Sequence, residues 1–327
     1  MKRTGYLFDK IIDKENIRLA HQKAKKGKSH YREVKFVNAN MEQCVDDIHN
    51  SLKNETFRCA DYEVFTKQCG PKIREIYKLP YYPDRIVHHA IMNVLEPVWN
   101  RILIRDTFSS IPGRGIHDGV RRVQRSINNV EETLYCLKFD IHKYYPSVKN
   151  EKLKSIVRKT IKDEKVLSLL DEIIDKEKGL PIGNLLSQYF GNLYLAYFDH
   201  YCKEQLNSRH YFRYCDDIVV LASDKKYLHY FFKEAKAYLT GELNLTIKPN
   251  YQVFPVDSRG IDFLGYRFFH GYTLLRKSIK KNMIKAVSRG SHKSFASYNG
   301  WMKHGNCHNL KKKYFNESTS ITSPGAN

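Results

Sequence analysis

Ile86, Val87, Ala90, Ile91, Val94 and Leu95 fall on one helical stripe, which predicts a helix opening at Asp84 and running through Trp99. Helical patterning also covers much of residues 9–50, His117 to Ile127, Lys152 to Ile174, about Ser187 to Leu206, and Lys226 to Leu239. Short β-type runs interrupt these helices. Glu63 to Gln68 and Pro71 to Tyr77 read as a hairpin turning at Cys69-Gly70-Pro71. Leu134 to Phe139, Leu243 to Ile247 and Gly260 to Phe269 read as strands, and His210–Arg213 with Ile218–Ala222 as a second hairpin. Pro112-Gly113-Arg114-Gly115 reads as a turn and Gly179 to Asn184 as a loop.

Asp216 and Asp217 stand at the tip of that second hairpin, in Tyr214-Cys215-Asp216-Asp217. Adjacent carboxylates raise each other's pKa unless a cation neutralises them. A divalent metal does this, and hard oxygen ligands favour Mg²⁺. Asp140 ends the Leu134–Phe139 strand and supplies a third carboxylate. Three carboxylates on two strand ends are what a two-metal phosphoryl-transfer site requires. An Asp-Asp pair alone is more often a solvated turn, so the weight lies on the third carboxylate and the order of segments.

Composition narrows the partners. The 327 residues are 42% hydrophobic, enough for a sizeable core in two or three subdomains. A net charge of +21 points to a polyanion, nucleic acid above all. The 23 tyrosines among many lysines suit a channel that stacks bases and neutralises phosphates. Between Phe263 and Asn316 there are twelve Lys or Arg and no Asp or Glu, which marks a basic C-terminal segment. Lys23 to Lys28 is a second basic run, read as a solvated helix face or as an RNA contact. Seven dispersed cysteines read as reduced thiols of a cytosolic protein. The N-terminus has no apolar leader and no run approaches a membrane span, so a cytoplasmic protein without a membrane partner is expected. His304-Gly305-Asn306-Cys307-His308 lacks the second cysteine pair that zinc would want, and His88 and His89 on an apolar helix read as structural.

The order of segments is informative as a whole. It runs through Asp84-Arg85-Ile86-Val87-His88-His89-Ala90, then Phe139-Asp140-Ile141-His142-Lys143-Tyr144-Tyr145-Pro146-Ser147, Gly179 to Leu195, the Tyr-x-Asp-Asp hairpin, Lys248, and Phe263-Leu264-Gly265-Tyr266. From about residue 60 to 270 the chain resembles the palm of a reverse transcriptase. The likeness is to bacterial enzymes of the diversity-generating and defence-associated groups. It implies an α+β, right-hand polymerase fold of fingers, palm and thumb, with a palm built as an antiparallel sheet backed by helices. Residues 1–80 would form N-terminal helices and a fingers hairpin, and 81–268 the palm with a fingers insertion around 149–180. Residues 269–316 would form a basic helical thumb, followed by a flexible tail over 317–327. No nuclease domain or maturase extension is expected after the thumb.

The resemblance also assigns roles. Asp140, Asp216 and Asp217 would hold two Mg²⁺ ions, with Asp140 and Asp216 bridging both and the Ile141 carbonyl as a further ligand. Lys72 and Arg74 would clamp the incoming triphosphate. Tyr145 would block a 2′-hydroxyl and so favour deoxynucleotides, because that hydroxyl separates RNA from DNA precursors. Lys248 resembles the lysine that protonates departing pyrophosphate. Ile182 stands where many retroviral-type and intron-type enzymes carry Gln, which removes a hydrogen-bonding handle on the incoming nucleotide. Ser187 and Gln188 would face the template or cap their helix. Phe263, Leu264, Gly265 and Tyr266 resemble the primer grip, and Lys280, Lys281, Lys285 and Arg289 would contact phosphates without choosing sequence.

The implied partners are a structured template RNA, a DNA primer or cDNA, and dNTPs, with an accessory protein or a second copy of the chain left open. Antiviral defence and diversification of a target gene are competing roles. Cys215, Leu185-Leu186-Ser187-Gln188 and Phe190-Gly191-Asn192 depart from the pattern more usual in diversity-generating and intron enzymes, which tilts the reading towards defence. A silent RNA-binding module with the same fold is the competing class.

Overall fold

The computed structural model describes residues 3–70, 72–289 and 292–315. The expected tail over 317–327 lies outside the described residues. The chain divides into two compact units. The first comprises Met1–Arg105, Ile141–Tyr201 and Ala237–Thr246, and the second Asp106–Asp140, Cys202–Lys236 and Ile247–Asn327.

The first unit is helical apart from a hairpin. Ile17, Ala20 and Ala24 on helix Lys14–Ala24 and Val87, Ala90 and Ile91 on helix Ile86–Trp99 are all buried. The small alanines let these two helices approach closely. Asn16 fastens them by donating to the carbonyls of Ile11 and Ala90 at 2.9 and 3.1 Å. Trp99 is fully buried against Tyr189 and Phe190 of helix Leu185–Tyr194. The hairpin pairs β1 (Glu63–Cys69) with β2 (Lys72–Lys78) antiparallel, as the sequence predicts.

The second unit holds a five-stranded sheet in the order β3 (Thr107–Phe108), β5 (His210–Tyr214), β6 (Asp217–Ala222), β4 (Tyr135–Asp140), β7 (Gln252–Pro255). All pairings are antiparallel except β3 with β5. Period-2 alternation gives the sheet two covered faces. Cys136, Phe212, Val219, Leu221 and Phe254 pack on helix Ile116–Ile127 and on a small sheet of β8 (Ile261–Phe263), β9 (Tyr266–Phe269) and β10 (Tyr272–Leu275). On the other face, Phe139 and Tyr211 meet Phe232 and Phe231 of helix Lys225–Leu243. Met283, Met302 and Cys307 from the basic C-terminal segment join the first core, so that segment shares one core with the sheet.

Four expected elements differ. Lys152 to Ile174 is two helices, Asn150–Arg158 and Glu164–Asp175. Asp163 separates them by accepting from Val166 N and from the Leu7 and Phe8 amides. Ser187 to Leu206 is broken at Leu195 into Leu185–Tyr194 and Ala196–His200, followed by a π-type turn, Tyr201–Gln205. Leu243 to Ile247 is no strand: helix Lys225–Leu243 runs to Leu243, and Asn244, at φ 53°, ends it in the left-handed conformation that Asn tolerates. Gly260 to Phe269 is two strands, β8 and β9, joined by a turn at Leu264-Gly265. Asp84 lies in the π-type turn Tyr81–Arg85 that leads straight into helix Ile86–Trp99, close to where the sequence opens that helix. It is fully buried and accepts the Ala60 amide at 2.9 Å, anchoring the segment before β1.

Candidate active site

β4 and β6 pair in the register Asp140↔Asp217, Lys138↔Val219, Cys136↔Leu221. Directly opposed residues share a face, so both carboxylates point to the side of the sheet that carries the main core. Tyr214 of β5 is the other cross-strand partner of Asp217. Cys215 and Asp216 therefore form a two-residue turn, with Cys215 at φ 53°. The Cys215 thiol lies 3.0 Å from the Ser109 hydroxyl, and its carbonyl accepts from the buried Arg213 guanidinium at 3.0 Å. These contacts hold the turn that carries Asp216.

Electrostatics at the strand ends are strained in one specific way. Burial raises the Asp217 carboxyl to about 6; the charges of Asp140 and Asp216 add to this and Lys138 opposes it. Lys138 Nζ is 3.2 Å from both Asp217 oxygens and donates to Oδ2, while Oδ1 is buried and accepts no hydrogen bond. Lys138 also donates to the Asp262 carbonyl, and Arg276 holds the Asp262 carboxylate at 2.6 Å. Lys248 donates its amide to the Asp140 carbonyl at 2.9 Å and places its ammonium 3.4 Å from Asp140 Oδ1. Lys248 thus stands beside the carboxylates, in the same unit. Lys138 was not among the sequence candidates. The signal was present, because a residue two before Asp140 on a strand must share its face.

A divalent hard cation fits the donor chemistry here: carboxylate oxygens only, one of them buried without a donor. As the side chains stand, no three His, Cys, Asp or Glu among the described residues converge on one metal position. Lys138 and Lys248 supply the positive charge instead.

Several other candidates lie in the first unit. Ile141 is fully buried. Tyr145 sits in the short helix Tyr144–Ser147, half-buried, its ring edge-on to Tyr144 at 5.6 Å. Leu180 donates its amide to the Tyr145 carbonyl at 2.8 Å. Gly179, at φ 78°, passes so close that a Cβ would lie 2.8 Å from that carbonyl, which leaves glycine as the residue that fits. The Ile182 carbonyl accepts from Tyr77 N at 2.8 Å, tying the loop to β2. Arg74 on β2 is exposed; the Lys72 side chain lies outside the described residues. In the first turn of helix Leu185–Tyr194, Gln188 is exposed and Ser187 is 4% exposed. The helix-capping alternative has no support, since the N-cap is Asn184 and makes no side-chain cap bond.

In the second unit, Leu264 (φ 51°) and Gly265 (φ 83°) make the tight turn between β8 and β9. Phe263, Leu264 and Tyr266 are buried in the core, so this turn presents backbone rather than side chains. Lys280, Lys281 and Lys285 line the exposed side of helix Lys277–Ser288, whose Met283 is buried, and exposed Arg289 follows it.

Residues 67–268 match the family model described as reverse transcriptase (RNA-dependent DNA polymerase). Protein YkfC of Escherichia coli (strain K12) is 24% identical over an alignment of 270 positions that covers 69% of this chain and 69% of that protein. Nuclear intron maturase 4, mitochondrial, of Arabidopsis thaliana is 25% identical over an alignment of 179 positions that covers 51% of this chain and 22% of the maturase. In fold, the chain is similar to telomerase from Candida tropicalis in complex with a fragment of telomeric RNA. The TM-score is 0.52 at 11% identity, covering 74% of this chain and 52% of the telomerase chain, so this chain spans about half that length. With the family match covering well over half of its residues, and a mixed sheet that sets carboxylates on adjoining strand ends, the chain belongs to the reverse transcriptase (RNA-dependent DNA polymerase) family.

Proposed function

We propose that this chain copies a dedicated structured RNA into cDNA by two-metal nucleotidyl transfer. The observation that carries the reading is the Asp140↔Asp217 register, with Asp216 in the adjoining turn. Mg²⁺ held by these carboxylates would supply Lewis acidity at the primer 3′-hydroxyl and charge neutralisation at the triphosphate. The protein's own part is to hold Asp140 and Asp217 face to face on paired strands and to keep Lys248 beside them. Lys248 would then donate a proton to departing pyrophosphate. Tyr145 would exclude ribonucleotides, and Arg74, exposed on β2, would bind the triphosphate. The exposed Lys280, Lys281, Lys285 and Arg289 would neutralise phosphates of the hybrid duplex.

Primer extension on an RNA template tests this. Asp216→Ala with Asp217→Ala should abolish extension while circular dichroism stays unchanged; a folded double variant that still extends primers would sink the assignment.

The biological role we propose is bacterial antiviral defence, supported by Cys215 and by the Leu185–Gln188 and Phe190–Asn192 variants. Sequencing nucleic acid bound to the purified protein separates it from diversification. A single non-coding RNA and its cDNA support defence, whereas cDNA of a protein-coding repeat with errors at template adenines would overturn it.

A further inference from the structure

Strained backbone gathers around the turn that carries Asp216. Cys215 takes φ 53° there, and Ser109 and Ser110 take φ 141° and 56° in the segment that follows β3. The Ser109 hydroxyl lies 3.0 Å from the Cys215 thiol and 3.4 Å from the Ser110 hydroxyl. None of the three is glycine, so each conformation persists only where its surroundings hold it.

Arg213 meets the same turn from inside the fold. Its side chain is fully buried, and its guanidinium donates to the Cys215 carbonyl at 3.0 Å. Taking a guanidinium out of water is costly, and an apolar side chain would fill the same core at lower cost. What an apolar side chain lacks is a rigid fork of donors for a carbonyl.

Arg213 and Ser109 share one anchor. The Arg213 amide donates to the Asp106 carbonyl at 3.0 Å, where β3 pairs with β5. Asp106 is buried, and its two carboxylate oxygens are taken by Arg122 at 2.8 Å and Lys203 at 3.0 Å. The segment fixed by Asp106 therefore reaches the turn at two points, the Cys215 carbonyl through Arg213 and the Cys215 thiol through Ser109.

We propose that Arg213 and Ser109 are positioning residues for Asp216: they hold the strained Cys215–Asp216 turn by its carbonyl and by its thiol, and so fix the backbone that presents the Asp216 carboxylate to metal. The inference rests on the polymerase reading and adds to it the residues that tune one carboxylate through the turn.

Mn²⁺ is the probe. Its binding to the full chain is read by electron paramagnetic resonance without nucleic acid, and primer extension is titrated with Mg²⁺ separately. Arg213→Gln should bind Mn²⁺ roughly tenfold more weakly, and Ser109→Ala several-fold more weakly, with circular dichroism unchanged. Asp216→Ala should also weaken binding, and adding Arg213→Gln to it should cost nothing further, because the two changes act through one group. Arg213→Lys keeps a donor for the carbonyl and should recover most of the affinity. In extension, Arg213→Gln should need more Mg²⁺ for half-maximal rate, while KM for dNTP at saturating Mg²⁺ stays unchanged.

Equal losses from Arg213→Gln in the unmodified protein and in Asp216→Ala would assign Arg213 to general packing and overturn the proposal. Unchanged Mn²⁺ affinity in Arg213→Gln overturns it too, as does unchanged affinity in Ser109→Ala should the arginine variant not fold; the polymerase reading survives all three. A folded unmodified protein that neither binds Mn²⁺ nor extends a primer overturns that reading and this proposal with it.

Discussion

Lys138 Nζ stands 3.2 Å from both carboxylate oxygens of Asp217, two residues before Asp140 on the neighbouring strand. Both side chains are mostly covered, at 19% and 23% exposed. An ion pair in that setting acts chiefly by sparing each partner an uncompensated charge. Lys138→Met should therefore destabilise the metal-free protein by about 1–2 kcal/mol. Mg²⁺ should then raise the melting temperature of the variant more than that of the unmodified protein. Calorimetry with and without Mg²⁺ checks this, and equal shifts would show that Lys138 does not act as counter-charge.

Tyr145 is held by its backbone, through the Leu180 amide, and its hydroxyl end lies beside Gly191. Tyr145→Ala should raise ribonucleotide incorporation relative to deoxynucleotide by roughly tenfold or more, since a steric block is removed while the Leu180 amide still holds the backbone. Competition assays with matched nucleotides measure the ratio. Unchanged sugar discrimination would remove Tyr145 from the nucleotide site.

Gly265 combines a φ of 83° with a close neighbour: a Cβ would lie 2.6 Å from the Trp301 ring and 2.7 Å from Ile279. Gly265→Ala should cost about 2 kcal/mol or more, from backbone strain and overpacking together. Denaturant unfolding reads the loss. A change below about 0.5 kcal/mol would mean that the packing around Trp301 yields easily.

His88 is 3% exposed, and its Nε2 has no hydrogen-bond partner. Burial holds its pKa down at about 3, and that of neighbouring His89 at about 4, against an ordinary 6.5. The unfolded chain therefore binds more protons than the folded one between these values and 6.5, so stability rises with pH across that window. Acidification from pH 7 to pH 4 should remove a few kcal/mol, and His88→Gln should flatten that slope. Urea midpoints across the pH range test it; an unchanged slope in the variant would assign the acid lability to other groups.

The carboxylates were legible because their chemistry depends on local pattern. Asp140 and Asp217 end strands whose alternation is strong, and the Cys215-Asp216 turn is short enough to specify a hairpin. Lys138 was legible in principle from the same alternation. The helix breaks at Thr160–Asp163 and Leu195 were not, because apolar residues continue through both. The first is set partly from afar: Asp163 caps the following helix at Val166 N and is also engaged by the amides of Leu7 and Phe8, distant in sequence.

Sequence alone determined the family-specific order of segments, the strand-end positions of Asp140 and Asp217 and the positive charge balance, since these are properties of residue type, period and spacing. Tertiary structure alone decided that the Phe263–Tyr266 side chains face inward, that the basic C-terminal segment shares the sheet's core, and that His117, Trp301 and Tyr214 line one pocket. Those facts depend on which distant surfaces meet. Burial and close packing set them, and neither is written in the spacing of residues along the chain.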